Sequence, residues 1–124
     1  MTKRAAVVLL IDDDPALGQA TIDILAARGH SALLALSNED AFHLLTAANR
    51  IDVLILDLQM GAARGESLIE DLHRAGQKVP AVIVHSAQPM PELVRAAKTV
   101  GAEVVLQKPC SAQRLMEAIE LATA

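Results

Sequence analysis

The residues best suited to chemistry in this sequence are polar side chains that stand directly after apolar runs. Four such runs, at residues 7–11, 51–56, 81–85 and 104–107, are followed by Asp12 and Asp13, by Asp57, by Ser86 and by Lys108. Carboxylates bind hard divalent cations, whereas a hydroxyl and an ammonium group bind phosphoryl oxygens. If the runs are parallel strands, these side chains converge at one edge of a sheet, where open α/β folds bind their ligands.

The composition fits a single small domain over residues 1–124 and excludes several classes of function. The 124 residues carry a net charge of −4, from 11 basic and 15 acidic side chains, and no basic stripe is present. Phe42 is the sole aromatic residue apart from histidines, so we expect no direct nucleic-acid binding. The apolar runs are too short to cross a membrane, and the lone Cys110 fits a reducing compartment. We therefore predict a cytoplasmic domain.

Apolar runs alternate with amphipathic stretches along the chain, which is typical of βαβ units with a parallel sheet. Asp14, Ser37 and Ser111 are predicted helix caps. The predicted strands are residues 7–11, 31–36, 51–56, 79–85 and 104–107. The predicted helices run from 15 to 28, from 38 to 48, from 66 to 75, from the prolines near 90 to 100, and from 112 to the C-terminus. A loop is predicted at 58–65. The fold class is thus α/β with five strands and five helices.

With these residues placed, the sequence resembles the receiver domain of response regulators, the phospho-accepting module of two-component signalling. The resemblance covers nearly the whole chain and is carried by Asp12-Asp13, Asp57, Ser86 and the pair Lys108-Pro109. It implies a doubly wound, flavodoxin-like sheet in the order 2-1-3-4-5, an order that chemotaxis receivers share. It also implies that a histidine kinase or a histidine phosphotransfer protein is the phosphoryl donor. Output would follow through contacts with an unknown downstream protein rather than through an enzyme activity.

The resemblance also assigns roles to individual residues. Asp57 would accept the phosphoryl group, Ser86 would hydrogen-bond one phosphoryl oxygen, and Lys108 would neutralise another. Mg²⁺ would be bound directly by Asp13 and Asp57, through water by Asp12, and by the backbone carbonyl of Gln59. The carboxylates would otherwise repel one another, so the cation would keep them ionised.

Three positions depart from the family pattern: Gly61 stands where Pro is usual, Cys110 stands where Phe is usual, and Val105 is the most important of the three. Val105 stands where receivers usually carry an aromatic ring that moves with the hydroxyl, so signal transmission should stay near the loops after Asp57 and Ser86.

Two alternative functions also remain to be considered. A pseudoreceiver that binds partners without phosphorylation is the first alternative, although the complete set of site residues argues against it. A haloacid-dehalogenase-like phosphatase is the second, because Asp12-x-Asp14 matches its nucleophile motif. That reading gives Asp57 no role.

Overall fold

The fold is a five-stranded parallel sheet covered by helices on both faces. The computed structural model describes residues 5–47, 50–60 and 63–124. The strands are β1 (Val7–Ile11), β2 (Ser31–Ala35), β3 (Val53–Leu56), β4 (Ala81–Ser86) and β5 (Val104–Gln107). The helices are α1 (Pro15–Ala27), α2 (Asn38–Thr46), α3 (Gly65–Arg74), α4 (Met90–Val100) and α5 (Ala112–Thr123). The strand order is β2-β1-β3-β4-β5 with parallel pairing throughout, which confirms the predicted fold class and order.

Two hydrophobic cores lie on opposite faces of the sheet because successive residues of each strand point to opposite faces. In β3, Leu54 and Leu56 join the core formed with α2, α3 and α4, whereas Val53 and Ile55 join the core formed with α1 and α5. All four side chains of β3 are fully buried. The central strand is therefore fixed from both sides, and the residue that follows it is held in place.

The helices begin where the sequence places its caps. The Asp14 side chain accepts hydrogen bonds from the backbone N–H groups of Ala16 and Leu17, and Pro15 is the first residue of α1. Ser37 and Ser111 cap α2 and α5 in the same way. Because Asp14, Ser37 and Ser111 directly follow strands or the loops after them, the caps turn the chain at the edge of the sheet that carries the site.

Several predicted boundaries were wrong by one or two residues. β4 begins at Ala81 rather than at residue 79, because Pro80 has no N–H group to donate to a strand ladder. It ends at Ser86, which pairs with Gln107. β3 begins at Val53 rather than at residue 51. α2 was predicted to reach Ala48, which lies outside the described residues.

The predicted loop at 58–65 contains secondary structure that the sequence did not indicate. Gln59–Met60 and Ala63–Arg64 form a short antiparallel pair, and α3 starts directly after it at Gly65. The Asn38 side chain donates a hydrogen bond of 2.9 Å to the carbonyl of Arg64, so this hairpin is attached to the start of α2. Within the described part of the chain, no helix is long and apolar enough to cross a membrane.

Candidate functional site

The carboxyl ends of β1 and β3 place two aspartates side by side. Ile11 and Leu56 are paired in the ladder, and Asp12 and Asp57 each follow directly. The backbone N–H of Asp57 donates to the carbonyl of Ile11 at 3.2 Å, so the strand geometry continues through the first residue of the site. Both aspartates are almost fully buried, with 6% and 9% of their surface exposed. Two carboxylates at this depth repel each other unless a cation compensates them.

Lys108 supplies that cation from the far end of β5. Its Nζ lies 3.2 Å from Oδ2 of Asp12 and 3.1 Å from Oδ2 of Asp57. Burial lowers the pKa of Lys108, but the hydrogen bond and charge of Asp57, together with Asp12, outweigh that effect and raise the pKa above its ordinary value. The lysine therefore stays charged at neutral pH and holds the two carboxylates together.

The second oxygen of each carboxylate is fixed by the backbone. Oδ1 of Asp12 accepts the N–H of Asp14 at 3.0 Å, and Oδ1 of Asp57 accepts the N–H of Gln59 at 3.0 Å. Each aspartate thus forms a local turn with the residue two positions further on, as short acidic side chains commonly do. Both side chains have one oxygen bound to the backbone and one bound to Lys108, which leaves them little rotational freedom.

Ser86 completes the edge on the β4 side of Asp57. Its side chain is fully buried, and its Oγ has no hydrogen-bond partner among the described residues. The cost of leaving such a group unsatisfied is about 1–3 kcal/mol, so a buried hydroxyl of this kind calls for an explanation. The backbone carbonyl of Ser86 accepts the N–H of Lys108 at 2.9 Å, which aligns the two residues on neighbouring strands. An oxygen-rich ligand next to Asp57 would provide the missing partner.

The other two predicted metal ligands lie at the margin of this cluster. The Asp13 side chain is exposed and forms no hydrogen bond or ion pair within the described ranges. Gln59 is exposed as well, and its backbone N–H is used by Asp57. Across the described residues, no three His, Cys, Asp or Glu side chains stand close enough together to hold a metal. Mg²⁺ nevertheless fits the donors present, because it prefers oxygen and retains several waters beside one or two carboxylates.

The site includes a titratable residue to which the sequence interpretation gave no role. His85 precedes Ser86 and shares a strand face with Ile83, which belongs to the core under α1 and α5. Burial and, to a smaller extent, the charge of Lys108 lower the pKa of His85 to about 4, although Asp57 and Asp12 act in the opposite direction. His85 is therefore a neutral imidazole at pH 7. Its place on an apolar strand predicts a packed residue rather than a ligand, but not its contact with the charges of the site.

Comparison with known proteins identifies the family. The sequence profile of the response regulator receiver domain matches residues 8–120, which is nearly the whole chain. The chain belongs to the response regulator receiver domain family. This membership excludes the phosphatase alternative. Asp14, the second aspartate of the Asp12-x-Asp14 motif on which that alternative rested, serves as the N-cap of α1.

Relatives of this receiver agree with that assignment. It is 29% identical over 120 residues to the transcriptional regulatory protein GlrR of Escherichia coli K12, covering 97% of this chain and 27% of GlrR. A response regulator receiver domain protein from Clostridium thermocellum superimposes with a TM-score of 0.84 at 30% identity, covering 95% of this chain and 94% of that one. The receiver spans between a quarter and a little over half of the lengths of the first curated relatives that it matches.

One structural relative is described with a phosphorylated residue and bound ligands. A response regulator protein from Burkholderia pseudomallei, described with a phosphorylated aspartic acid, a calcium ion and citrate, has a TM-score of 0.78 at 26% identity. The alignment covers 91% of this chain and 65% of that one. The phosphorylated residue and the ion are properties of that protein.

Proposed function

We propose that this receiver accepts a phosphoryl group on Asp57 in a reaction that depends on Mg²⁺. The donor would be the phosphohistidine of a histidine kinase or of a histidine phosphotransfer protein, and the signal would pass on through protein–protein contacts. The observation that carries the proposal is the bridge from Lys108 to Asp12 and Asp57, together with the buried, unpartnered Oγ of Ser86 on the neighbouring strand. The phosphorylated aspartic acid of the Burkholderia relative gives further support.

The position of Asp57 in the sheet favours it over Asp12 as the acceptor. β3 lies between β1 and β4, so Asp57 has strands that lead to polar residues on both sides: Asp12 follows β1, and Ser86 is the last residue of β4. β1 lies between β3 and β2, and β2 ends at Ala35, which offers no polar side chain. A phosphoryl group on Asp57 would therefore meet both a hydroxyl donor and the ammonium group of Lys108.

The proposed step transfers a phosphoryl group from histidine to aspartate and involves no oxidation or reduction. A carboxylate oxygen of Asp57 forms a bond to phosphorus while the phosphorus–nitrogen bond of the donor phosphohistidine breaks. The electron pair of that bond remains on the imidazole nitrogen of the donor. Lys108 compensates the charge on the phosphoryl oxygens as a point charge, and the Ser86 hydroxyl donates a hydrogen bond to one of them.

The metal would be held at the exposed side of the same cluster. Asp13 and Asp57 would bind Mg²⁺ directly, Asp12 through a water molecule, and Gln59 through its backbone carbonyl. When bound, Mg²⁺ would supply charge neutralisation for the carboxylates and the phosphoryl oxygens. The contribution of the chain itself is to hold the Asp57 carboxylate at a fixed angle, with Oδ1 on the backbone of Gln59.

Intact-mass measurement after incubation with acetyl phosphate and Mg²⁺ tests this function. Wild-type protein should gain one phosphoryl mass, and Asp57→Ala should gain none. Asp14→Asn is the matched control, because it removes a nearby carboxylate but keeps a residue that caps a helix equally well. The control should be labelled like the wild type. Labelling of Asp57→Ala to the wild-type extent would refute the assignment of the acceptor.

A further inference from the structure

Among the described residues, one side-chain hydrogen bond links the loop between β4 and α4 to β5. Nε2 of Gln107 donates a hydrogen bond of 3.0 Å to the backbone carbonyl of Gln88. Gln107 is the last residue of β5 and precedes Lys108, whereas Gln88 lies two residues after Ser86. Lys108 and Ser86 are the two predicted phosphoryl contacts. The bond therefore joins the residue before Lys108 to the loop that follows Ser86.

Gln107, the last residue of β5, and Lys108, which follows it, bind the backbone on either side of Ala87. The N–H of Lys108 binds the carbonyl of Ser86 at 2.9 Å, and Gln107 binds the carbonyl of Gln88. The first bond continues the β4–β5 ladder and belongs to the sheet. The second is made by an exposed side chain and can be released without breaking the sheet. The loop itself is weakly anchored, since Ala87, Pro89 and Met90 are all exposed.

We propose that Gln107 is a positioning residue for the phosphoryl site, acting through the loop that follows Ser86. Its bond to Gln88 favours the loop arrangement in which Ser86 Oγ is buried without a partner. Movement of Ser86 toward a phosphoryl oxygen shifts this loop and breaks the bond. The inference rests on the proposed function and adds to it a residue that sets how readily the site responds.

Within the described residues, Gln107 makes the side-chain hydrogen bond between this loop and β5. Val105, which is paired with Val84 and packs against the core under α4, has an aliphatic side chain with no polar atom. The side chain of Val105 therefore contributes packing alone. The carbonyl of Gln88 is bound instead by Gln107, two residues further along β5. The effect of one exposed hydrogen bond is modest. We expect about a two- to fivefold change in the equilibrium between the two loop arrangements when it is lost.

The test measures the binding of beryllofluoride, a mimic of the phosphoryl group, at saturating Mg²⁺. The protein has no Trp, so isothermal titration calorimetry is the suitable method. Gln107→Met keeps the length of the side chain but removes the donor, and it should bind beryllofluoride about two- to fivefold more tightly than wild type. Gln107→Leu should act in the same direction. Gln113→Met is the matched control, because Gln113 is an exposed glutamine that donates to Glu117 within α5.

A double-mutant cycle with Ser86→Ala separates positioning from a general effect on stability. If Gln107 acts by restraining the movement of Ser86, the gain from Gln107→Met should disappear in the Ser86→Ala background. Equal affinities of wild type and Gln107→Met would overturn the inference while leaving the proposed function intact, as would a gain that persists without the hydroxyl. Wild-type protein that binds no beryllofluoride and accepts no phosphoryl group would refute the proposed function and this inference together.

Discussion

The partly buried His85 should make the stability of this receiver fall between pH 6.5 and pH 5. Burial is the main reason that its pKa drops to about 4, with the charge of Lys108 as a second cause. In the unfolded chain the imidazole returns to a pKa of about 6.5. Below pH 6.5 the unfolded state therefore binds a proton that the folded state excludes, and protons favour unfolding.

The size of the effect follows from the difference between the pKa values of His85 in the folded and unfolded states. They differ by about 2.5 pH units, which corresponds to ~3.4 kcal/mol as an upper bound, reached only below pH 4. At pH 5 the same relation gives ~2 kcal/mol, and the partial exposure of the ring reduces this to about 1–2 kcal/mol. The contribution is absent above pH 6.5 and grows as the pH falls through this range. Ordinary carboxylates remain ionised at pH 5, so they add little there.

Urea unfolding followed by circular dichroism at pH 7.5 and pH 5.0 measures this contribution. The variant His85→Leu removes the titrating ring, so it should lose about 1–2 kcal/mol less stability between the two pH values than wild type does. His73→Leu is the matched control, because His73 is exposed at the end of α3. It should show the wild-type pH dependence. If His85→Leu and wild type lose equal stability on acidification, the buried imidazole does not control this response and the reasoning is wrong.

Three further predictions concern the cluster around Asp57. Lys108→Met leaves Asp12 and Asp57 buried without their cation, so in the absence of Mg²⁺ it should lower the free energy of unfolding by about 3 kcal/mol; an unchanged urea midpoint would contradict this. Gly65→Ala introduces a Cβ that would collide with the backbone carbonyl of Asp57, so acetyl phosphate labelling should slow and stability should fall by about 1–3 kcal/mol. Mg²⁺ at about ten to a hundred times its Kd should stabilise wild type by about 1–3 kcal/mol in thermal unfolding, and Asp57→Ala should abolish this gain.

The fold could be predicted from the sequence because its signals are local. Each strand is an apolar run, and caps such as Asp14 and Ser111 mark helix starts within a few residues of the strand ends. The hairpin at Gln59–Met60 and Ala63–Arg64 could not be predicted, because a two-residue strand is too short to show any periodicity. Its position depends on a contact from Asn38, which is distant in the sequence.

The candidate site could be predicted only in part, again because contacts between residues that are distant in the sequence leave no local signal. The residue types at the strand ends were sufficient to bring Asp12, Asp57, Ser86 and Lys108 to one edge. The sequence does not contain the distances between them. Lys108 contacts both aspartates across 96 and 51 residues of sequence, and these contacts depend on the packing of the whole sheet. The metal-binding roles of Asp13 and Gln59 stay predictions.

Lys108 changes how the site should respond to its ligands. The sequence suggested a pocket of bare carboxylates that needs a metal, but both buried aspartates already share one ammonium group. The charge of the two buried aspartates is therefore already partly compensated. On the proposed function, Mg²⁺ would add positive charge on the side of Asp13 rather than fill an unopposed anionic pocket. A phosphoryl group on Asp57 would then bring new negative charge to Lys108 and a partner for Ser86 Oγ. Because Lys108 binds the carbonyl of Ser86 and Gln107 binds the carbonyl of Gln88, such a group would act on the ends of both β4 and β5.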